Sequence, residues 1–190
     1  MLTTVLHYAI PTMWLAWLLC WIVAARDVKP TRWHEPATSR AYVRIAGLLA
    51  ALLLILPERL PATLNRHFIP TTVPIVWAGT ILVAGGLAFA VWARLHLGRN
   101  WSATVTVKED HTLIRTGPYR YVRHPIYTGL LLAFAGTALA IGEWRGILAF
   151  AIVLFAYMRK AQIEEERMSA TFPEYEEYRH TTSALIPFVY

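Results

Sequence analysis

Charged residues are scarce in this chain, and they are unevenly placed. They make up 16% of the 190 residues, whereas soluble domains usually carry about 25%. They are missing from long apolar runs and gather in the segments between them, a pattern typical of membrane proteins. Too little chain remains outside these runs for a separate soluble catalytic domain. We therefore predict one integral membrane domain over residues 1–190, with any active site built from helices and their connecting loops.

Cysteine is almost missing, and nucleotide-binding motifs are wholly missing. Cys20 is the only cysteine, which excludes an intramolecular disulfide and a thiolate metal site. The histidines lack the spacing of metal ligands, so we predict no metal site. The sequence contains no glycine-rich dinucleotide or phosphate-binding motif. The net charge of +6 is explained by basic residues that flank membrane spans. The expected partners are therefore membrane lipids and not nucleic acid.

The apolar runs predict an all-α fold, a multi-spanning helical bundle with about five transmembrane helices. Residues 1–93 hold the first three spans, and residues 94–190 form the second half. A span needs about 20 residues, and the last two runs are shorter, so we interpret them as a helical hairpin. A polar helix over residues 159–178, broken at Pro173, is predicted to follow. The five runs are Leu2–Ala25, Ile45–Leu56, Val73–Ala93, Ile126–Ile141 and Ile147–Met158.

Two patterns inside these runs predict contacts between helices. Tryptophans recur at helical spacing in the first run, which is more typical of packing or lipid contact than of a cofactor site; they are Trp14, Trp17 and Trp21. Glycines in the third run allow another helix to approach closely; they are Gly79, Gly85 and Gly86. Between the third and fourth runs, Thr104-Val-Thr-Val107 alternates in polarity and predicts a short extended segment.

Basic residues are distributed very unequally between the two sides of the predicted membrane. The loops 26–44 and 94–124 and the segment from residue 159 onward hold fifteen Lys and Arg residues, whereas the alternate side holds three. Basic residues next to spans are retained in the cytosol. The bias therefore predicts an N-terminus outside, a C-terminus in the cytosol and an odd number of crossings, which five spans satisfy.

The segment Arg123-His-Pro-Ile-Tyr127 has the residues of a helix start that can bind an anion. Pro125 suits the first turn of a helix and forces His124 into an extended conformation. Such a helix start offers unpaired N–H groups and a positive dipole end to a carboxylate. Gly129, one turn later, allows something to lie close against the backbone. A basic and aromatic membrane anchor explains the same segment equally well.

A second polar segment follows the last apolar run. Arg159-Lys-Ala-Gln-Ile-Glu-Glu-Glu-Arg167 places Lys160 and Glu164 four residues apart on a helix, where they can pair. Taken alone, this is a solvated helix face. Three adjacent carboxylates at a membrane edge repel one another, and they are explained if one of them binds a cation, such as the amino group or sulfonium of a cofactor.

The second half of the chain, roughly residues 95–190, resembles the isoprenylcysteine carboxyl methyltransferase family and the related phospholipid methyltransferases. The resemblance lies in Gly117-Pro-Tyr-Arg-Tyr-Val-Arg-His-Pro-Ile-Tyr-Thr-Gly129, which is followed about 40 residues later by Glu164-Glu165. Further matches are His111-Thr-Leu-Ile114, Met168, Phe172, Tyr175, Tyr178 and Leu185-Ile-Pro187. The chain departs from the usual pattern of the family at Phe172-Pro173 and at His180-Thr-Thr-Ser-Ala184.

The resemblance implies an integral membrane methyltransferase that uses S-adenosylmethionine in a cytosolic pocket covered by the C-terminal helix. The implied acceptor is a lipid-like or prenyl-cysteine-like molecule with a carboxylate or an amine. The implied cofactor contacts are His111, Thr112, Leu113, Ile114, Tyr119, His124, Pro125, Ile126, Tyr127, Glu164 and Glu165. The implied catalytic set is Glu164 with Arg159 or Lys160, whose positive charge would hold an anionic acceptor.

Two other functions remain open at this point. One is a membrane sterol or enone reductase that uses a nicotinamide cofactor, because such enzymes share the hydrophobic layout and a similar Arg-His motif. Gly117-Pro-Tyr119 and the glutamate run favour the methyltransferase. The other is a lipid-binding membrane protein without catalytic activity, which would turn over neither cofactor.

Overall fold

The computed structural model of the chain describes residues 2–24, 31–34, 37–98, 106–108 and 113–186. These residues form a helical bundle with one small two-stranded ribbon. The helices are α1 (Leu2–Thr4), α2 (Ile10–Ala24), α3 (Ala37–Ile55), α4 (Val73–Leu97), α5 (Pro125–Ile141), α6 (Trp144–Thr171) and α7 (Tyr175–Thr181). A π-helical segment, Val5–Ala9, joins α1 to α2. The strands β1 (Thr31–His34) and β2 (Thr106–Lys108) pair antiparallel, so the predicted extended segment lies partly in β2.

Three helical stretches in the described part of the chain are long and apolar enough to cross a membrane. They are Val5–Ala24, Val73–Leu97 and Trp144–Thr171. The stretches Ala41–Ile55 and Pro125–Ile141 are also apolar but shorter. All five lie where the apolar runs predicted them, which confirms the multi-spanning bundle. The predicted break at Pro173 is confirmed too, because α6 ends at Thr171 and α7 begins at Tyr175.

Helices α4 and α5 form an antiparallel pair in which the backbones touch. A Cβ atom added at Gly86 would lie 2.5 Å from the carbonyl oxygen of Gly129, and one added at Gly79 would lie 2.5 Å from that of Gly136. Small residues at such positions let helices approach closely and pack well in lipid. Gly129 therefore leaves space for α4. The sequence predicted that something lies close against the backbone at Gly129, and in the structure this neighbour is α4. Gly85 has no such neighbour within 4 Å.

The start of α6 is held against the end of α3 by a buried arginine. The guanidinium of Arg145 donates to the backbone oxygens of Leu53 at 3.2 Å and Leu54 at 2.7 Å. The same side chain pairs with Glu143 at 2.5 Å. The last carbonyls of a helix have no partner within the helix, so Arg145 satisfies two of them at the end of α3.

The helix ends meet at two opposite faces of the bundle. Arg94 donates to the backbone oxygens of Ala24 and Gly98, so α2 and α4 end together. We call this end, which also holds the start of α5 and the last turns of α6, the site face. The ends of α3 and α5 and the start of α4 lie at the other end, which we call the far face. This alternation is the one predicted from the loops.

Candidate functional site

His124 is the centre of the polar cluster on the site face. It immediately precedes Pro125, the first residue of α5, and its imidazole is buried. Its Nδ1 lies 3.2 Å from Oε2 of Glu164, and its Nε2 lies 3.1 Å from Oε1 of Glu165. Consecutive helix residues rarely face the same partner. Here the imidazole lies between the two carboxylates, so each of them contacts a different ring nitrogen. The contacts join the Arg123–Tyr127 segment to the glutamate run on α6.

Glu165 belongs to a group of charges that ties α6 to the C-terminal segment. Its Oε1 accepts a hydrogen bond from Nε of Arg123 at 2.8 Å, and its Oε2 lies 3.5 Å from Nε of Arg179. Arg123 also donates to the backbone oxygens of Arg179 and Thr182. The carboxylate of Glu165 therefore faces three basic side chains, among them Arg179 from α7.

Glu164 belongs instead to a stack of rings that runs into the bundle. The hydroxyl of Tyr127 donates to Oε1 of Glu164 at 2.5 Å. The Tyr127 ring lies parallel to the imidazole of His124, with centroids 5.6 Å apart, and to the ring of Tyr157, with centroids 4.8 Å apart. Stacked rings present negative faces that attract cations. The cluster thus combines two carboxylates with aromatic faces, a set of groups that suits a cationic ligand.

Lys160 is the basic residue that the structure brings to this cluster. It is buried, and its Nζ lies 6.0 Å from the centroid of the Tyr127 ring. Arg159 is exposed on α6 and donates to Gln162 at 2.5 Å, so it stands apart from the cluster. Of the two residues predicted to hold an anionic acceptor, Lys160 is therefore the one near the cluster.

Tyr119 lies beside the cluster in a 3-10 turn, Gly117–Arg120. Its backbone oxygen accepts a hydrogen bond from the hydroxyl of Tyr178. Burial, together with the charge of the nearby Glu164, raises the pKa of the Tyr119 hydroxyl, so this group stays protonated. The turn needs glycine at position 117, because its φ is +59° and an added Cβ would lie 2.6 Å from the His96 ring.

The carboxylates decide the protonation of His124. Burial alone lowers its pKa, but hydrogen bonds to Glu164 and Glu165 outweigh that effect and raise the pKa above its ordinary value. A carboxylate oxygen at each ring nitrogen therefore favours the protonated form of the imidazole. A cationic ligand would have to compete with this ring for Glu164.

The segment that follows α7 is hydrogen-bonded to the chain around His124. The backbone N–H groups of Arg123 and His124 donate to the carbonyls of Ser183 and Ala184 at 2.9 and 3.0 Å. The hydroxyl of Thr128 donates to the carbonyl of Leu185 at 2.6 Å. The segment after α7 therefore lies along the start of α5.

The other residues predicted to contact the cofactor lie at different places around the cluster. Pro125 and Ile126 are buried in the first turn of α5. Ile114 packs against the core cluster that contains Tyr119 and Ile126, and Leu113 is half-buried beside it in sequence. His111 and Thr112 lie outside the described residues.

An apolar cavity of about 330 Å³ opens between α2, α3, α5 and α6. Its lining includes Trp14, Trp17, Gly47, Phe134 and Tyr157, and none of the described lining residues carries a charge. Tyr157 also stacks on Tyr127. One ring therefore borders both the cavity and the polar cluster.

Sequence reasoning missed Arg123, Tyr157 and Arg179 as members of the site. Tyr157 precedes Glu164 by seven residues, which places both on one face of a helix, and this spacing could have identified it. Arg123 was visible inside the motif, but its role depends on backbone groups some 60 residues away. Arg179 carries no local signal, because it reaches Glu165 only after α7 folds back.

Comparisons with known proteins show which family the chain belongs to. The sequence profile of the phospholipid methyltransferase family matches residues 74–175. The protein-S-isoprenylcysteine O-methyltransferase of Schizosaccharomyces pombe is 33% identical over 101 residues, which cover 51% of this chain and 43% of the relative. The cobalt-zinc-cadmium resistance protein CzcN of Cupriavidus metallidurans is 32% identical over 114 residues, which cover 58% of this chain and 51% of the relative. The chain thus spans about half the length of the curated relatives it matches.

The fold has a counterpart among solved structures. A eukaryotic intramembrane Ras methyltransferase, isoprenylcysteine carboxyl methyltransferase, superposes with a TM-score of 0.52 at 23% identity. The match covers 82% of this chain and 54% of the other. At this level of identity the similarity supports the fold, and the function has to be argued from the site.

Proposed function

The chain belongs to the phospholipid methyltransferase family, and on that premise we propose that it transfers a methyl group from S-adenosylmethionine to a lipid-like or prenyl-cysteine-like acceptor at the cytosolic membrane face. The family match confirms the resemblance seen in the sequence. It also favours methyl transfer over the reductase alternative. The observation that carries the proposal is the convergence of His124, Glu164 and Glu165 beneath the C-terminal segment.

The residues on the site face fit the charges of this cofactor. Glu164 and Glu165 already hold a cation, the imidazolium of His124, so their carboxylates suit an ammonium or sulfonium group. The ring of Tyr119 provides further cation-binding surface, whereas the Tyr127 ring already stacks on His124 and Tyr157. The first turn of α5, at Pro125 and Ile126, suits a carboxylate. When bound, S-adenosylmethionine supplies a methyl group activated by its sulfonium.

We propose that Leu113 and Ile114 complete the cofactor contacts, with His111 and Thr112 as the remaining members of the predicted set. The packing of Ile114 against the core cluster around Tyr119 supports this assignment. An apolar wall beside a charged cluster excludes water and so strengthens the charge interactions there.

Lys160 and Glu164 are the proposed catalytic residues. Lys160, on the same helix as the glutamates and near the Tyr127 ring, would hold an acidic acceptor by its positive charge. A carboxylate acceptor is already ionised and needs no base. An amine acceptor would have to give up a proton, and Glu164 is the proposed base for that case. The rest of the rate enhancement would come from proximity and orientation.

The apolar cavity is the proposed place of the acceptor chain. It lies among the membrane helices and shares Tyr157 with the aromatic stack. Tyr157 precedes Glu164 by seven residues, about 10 Å along a helix. An acceptor chain in the cavity could therefore reach the polar cluster with its head group and leave the remainder in lipid. The site face would lie in the cytosol, as the distribution of basic residues predicts.

Calorimetry of the purified protein with S-adenosylmethionine tests the cofactor site. We expect saturable binding that His124→Ala and Glu164→Ala each weaken by roughly 10- to 100-fold. Glu164→Ala removes a charge-assisted contact, and His124→Ala removes the ring that fixes the positions of Glu164 and Glu165. Glu166→Ala is the matched control, since Glu166 is the next glutamate on α6 and its side chain is exposed. Unchanged binding by both site variants would refute the assignment.

A transfer experiment tests the reaction itself. Membranes that contain the protein are incubated with S-adenosylmethionine labelled in its methyl group. We expect label in the lipid or prenylated fraction, and we expect Lys160→Ala to reduce it at least tenfold. No label in any acceptor fraction, from protein that still binds the cofactor, would favour the lipid-binding alternative.

A further inference from the structure

Helix α3 presents small residues to the apolar cavity, and one of them has no side chain at all. The residues of this helix that line the cavity are Val43, Ala46, Gly47 and Ala51. Val43, Gly47 and Ala51 follow one another at intervals of four residues, so they lie on one face of the helix. A side chain at position 47 would therefore lie between those of Val43 and Ala51, on the face that borders the cavity.

The structure leaves space for a side chain at this position. A Cβ atom added at Gly47 would meet nothing within 4 Å among the described residues. Gly79 and Gly86 differ, because each of them makes room for the backbone of α5. Glycine inside a helix is less stable than alanine by roughly 1 kcal/mol, and no neighbouring helix explains that cost at Gly47. The missing side chain leaves room in the cavity instead.

The walls that α2 and α5 contribute to the cavity are bulky and held in place. Trp14 and Phe134 both line it, and their ring centroids lie 4.8 Å apart. The Nε1 of Trp14 also donates to Oγ1 of Thr137 on α5 at 3.1 Å. These rings cannot separate without breaking those contacts, so the α3 side is where the width of the cavity can be set.

The chain of the methyl acceptor is the occupant that this cavity fits. None of the described lining residues is charged, and the volume of about 330 Å³ is at the lower end of ligand pockets, which suits a single apolar chain. Tyr157 lines the cavity and stacks on Tyr127, which donates to Glu164. An apolar chain in the cavity is therefore continuous with the polar cluster, where its head group would be held.

We propose that Gly47 is a specificity-determining residue, whose missing side chain sets the width of the chain that the cavity accepts. This inference rests on the proposed function, because it identifies the occupant of the cavity with the methyl acceptor. A larger side chain at position 47 should exclude branched chains first, because a branched chain is wider than an unbranched chain of the same length.

Direct binding of two matched probes tests this proposal. The probes are tritiated N-acetyl-S-farnesyl-cysteine and tritiated N-acetyl-S-dodecyl-cysteine. They share the head group and the length of the main chain, and only the farnesyl chain carries methyl branches. Binding to the purified full-length protein in detergent is measured by scintillation proximity without any methyl donor. We expect Gly47→Leu to weaken binding of the farnesyl probe roughly tenfold more than binding of the dodecyl probe, and Gly47→Ala roughly threefold more, because the cost of overpacking grows with the volume added.

Gly85→Leu is the matched control. Gly85 is also an exposed glycine inside a span, with nothing within 4 Å of an added Cβ atom, but it is not among the described residues that line the cavity. This variant should bind both probes as the wild type does. Binding of the dodecyl probe by Gly47→Leu shows that the variant is folded, and if it binds neither probe, the ratio in Gly47→Ala decides.

Three results would overturn the proposal. They are an unchanged ratio of the two affinities in the Gly47 variants, an equal shift of that ratio in Gly85→Leu, and no saturable binding of either probe by the wild type. Because the assay contains no methyl donor, a failure of methyl transfer is detected separately and bears on the proposed reaction alone.

Discussion

His124 is held by contacts on both of its ring nitrogens. Its neutral ring could donate from only one nitrogen, whereas the protonated ring donates to Glu164 and Glu165 together. Further charged and titratable groups surround the two glutamates. Arg123 and Arg179 share Glu165, Tyr127 donates to Glu164, and Lys160 lies near the Tyr127 ring. The two glutamates therefore connect the ring to different parts of the protein. Glu165 ties the ring to the C-terminal segment, and Glu164 ties it to the aromatic stack.

This arrangement predicts a pH-dependent contribution of His124 to stability. Its pKa is raised in the folded protein, so the contribution is fully present below the ordinary value of about 6.5 and is lost as the pH rises through the raised pKa. We expect His124→Gln to cost about 2 kcal/mol of unfolding free energy at pH 6. The cost should shrink steadily at higher pH, as measured by thermal unfolding in detergent.

A second histidine provides the control for that experiment. His180 also lies near a glutamate, Glu176, at 3.5 Å, but its side chain is 78% exposed. Exposed pairs contribute little, so His180→Gln should leave the unfolding temperature nearly unchanged at every pH. A His124→Gln difference that stays constant between pH 6 and 9 would show that the ring does not carry a proton between the two carboxylates.

At the scale of elements, the backbone contact between α4 and α5 positions the site. Helix α5 begins at the cluster, and its axis is fixed by its pairing with α4 through Gly79, Gly86, Gly129 and Gly136. Helices in lipid gain stability from such close packing and not from hydrophobic burial. The position of His124 at the start of α5 thus depends on glycines one to three turns deeper in the bundle.

Two adjacent glycines allow a matched test of this packing. A Cβ atom at Gly86 would lie 2.5 Å from a backbone oxygen of α5, whereas one at Gly85 meets nothing within 4 Å. We expect Gly86→Ala to lower the unfolding free energy by about 1–3 kcal/mol, because the helices must separate. Gly85→Ala should be neutral or slightly stabilising, since alanine favours the helix. Equal effects of the two changes in thermal unfolding would contradict the close pairing.

The helices were more predictable than the contacts between them. The apolar runs predicted the positions of the spans, and Pro125 predicted the start of α5, because both signals are local in the sequence. The pairing of Arg179 with Glu165 and the stack of Tyr127 on Tyr157 join residues that are far apart in the chain, and no local pattern encodes them. Gly85 and Gly86 looked equivalent in the sequence. Only the direction in which α4 faces α5 distinguishes them.

At the scale of the whole molecule, the two faces of the bundle have different roles. The far face is closed by the short α5–α6 connection and by Arg145, which caps α3. The site face holds the charge cluster and the segment that follows α7. A cofactor that carries charges must arrive from water, whereas an acceptor chain can enter from lipid. The fold therefore keeps the two approaches apart until they meet near Tyr127 and Tyr157.

The orientation of these faces can be tested with the chain's single cysteine removed. In a Cys20→Ser background, Glu58→Cys places a thiol on the far face, and Glu177→Cys places one on the site face, where Glu177 is 77% exposed. Fifteen of the eighteen Lys and Arg residues belong to the loops 26–44 and 94–124 and the segment from residue 159 onward, and this distribution predicts a cytosolic site face. A membrane-impermeant maleimide should therefore label Glu58→Cys in intact cells, and Glu177→Cys only after permeabilisation. The reverse labelling would place the site outside the cytosol, where S-adenosylmethionine made inside the cell could not reach it.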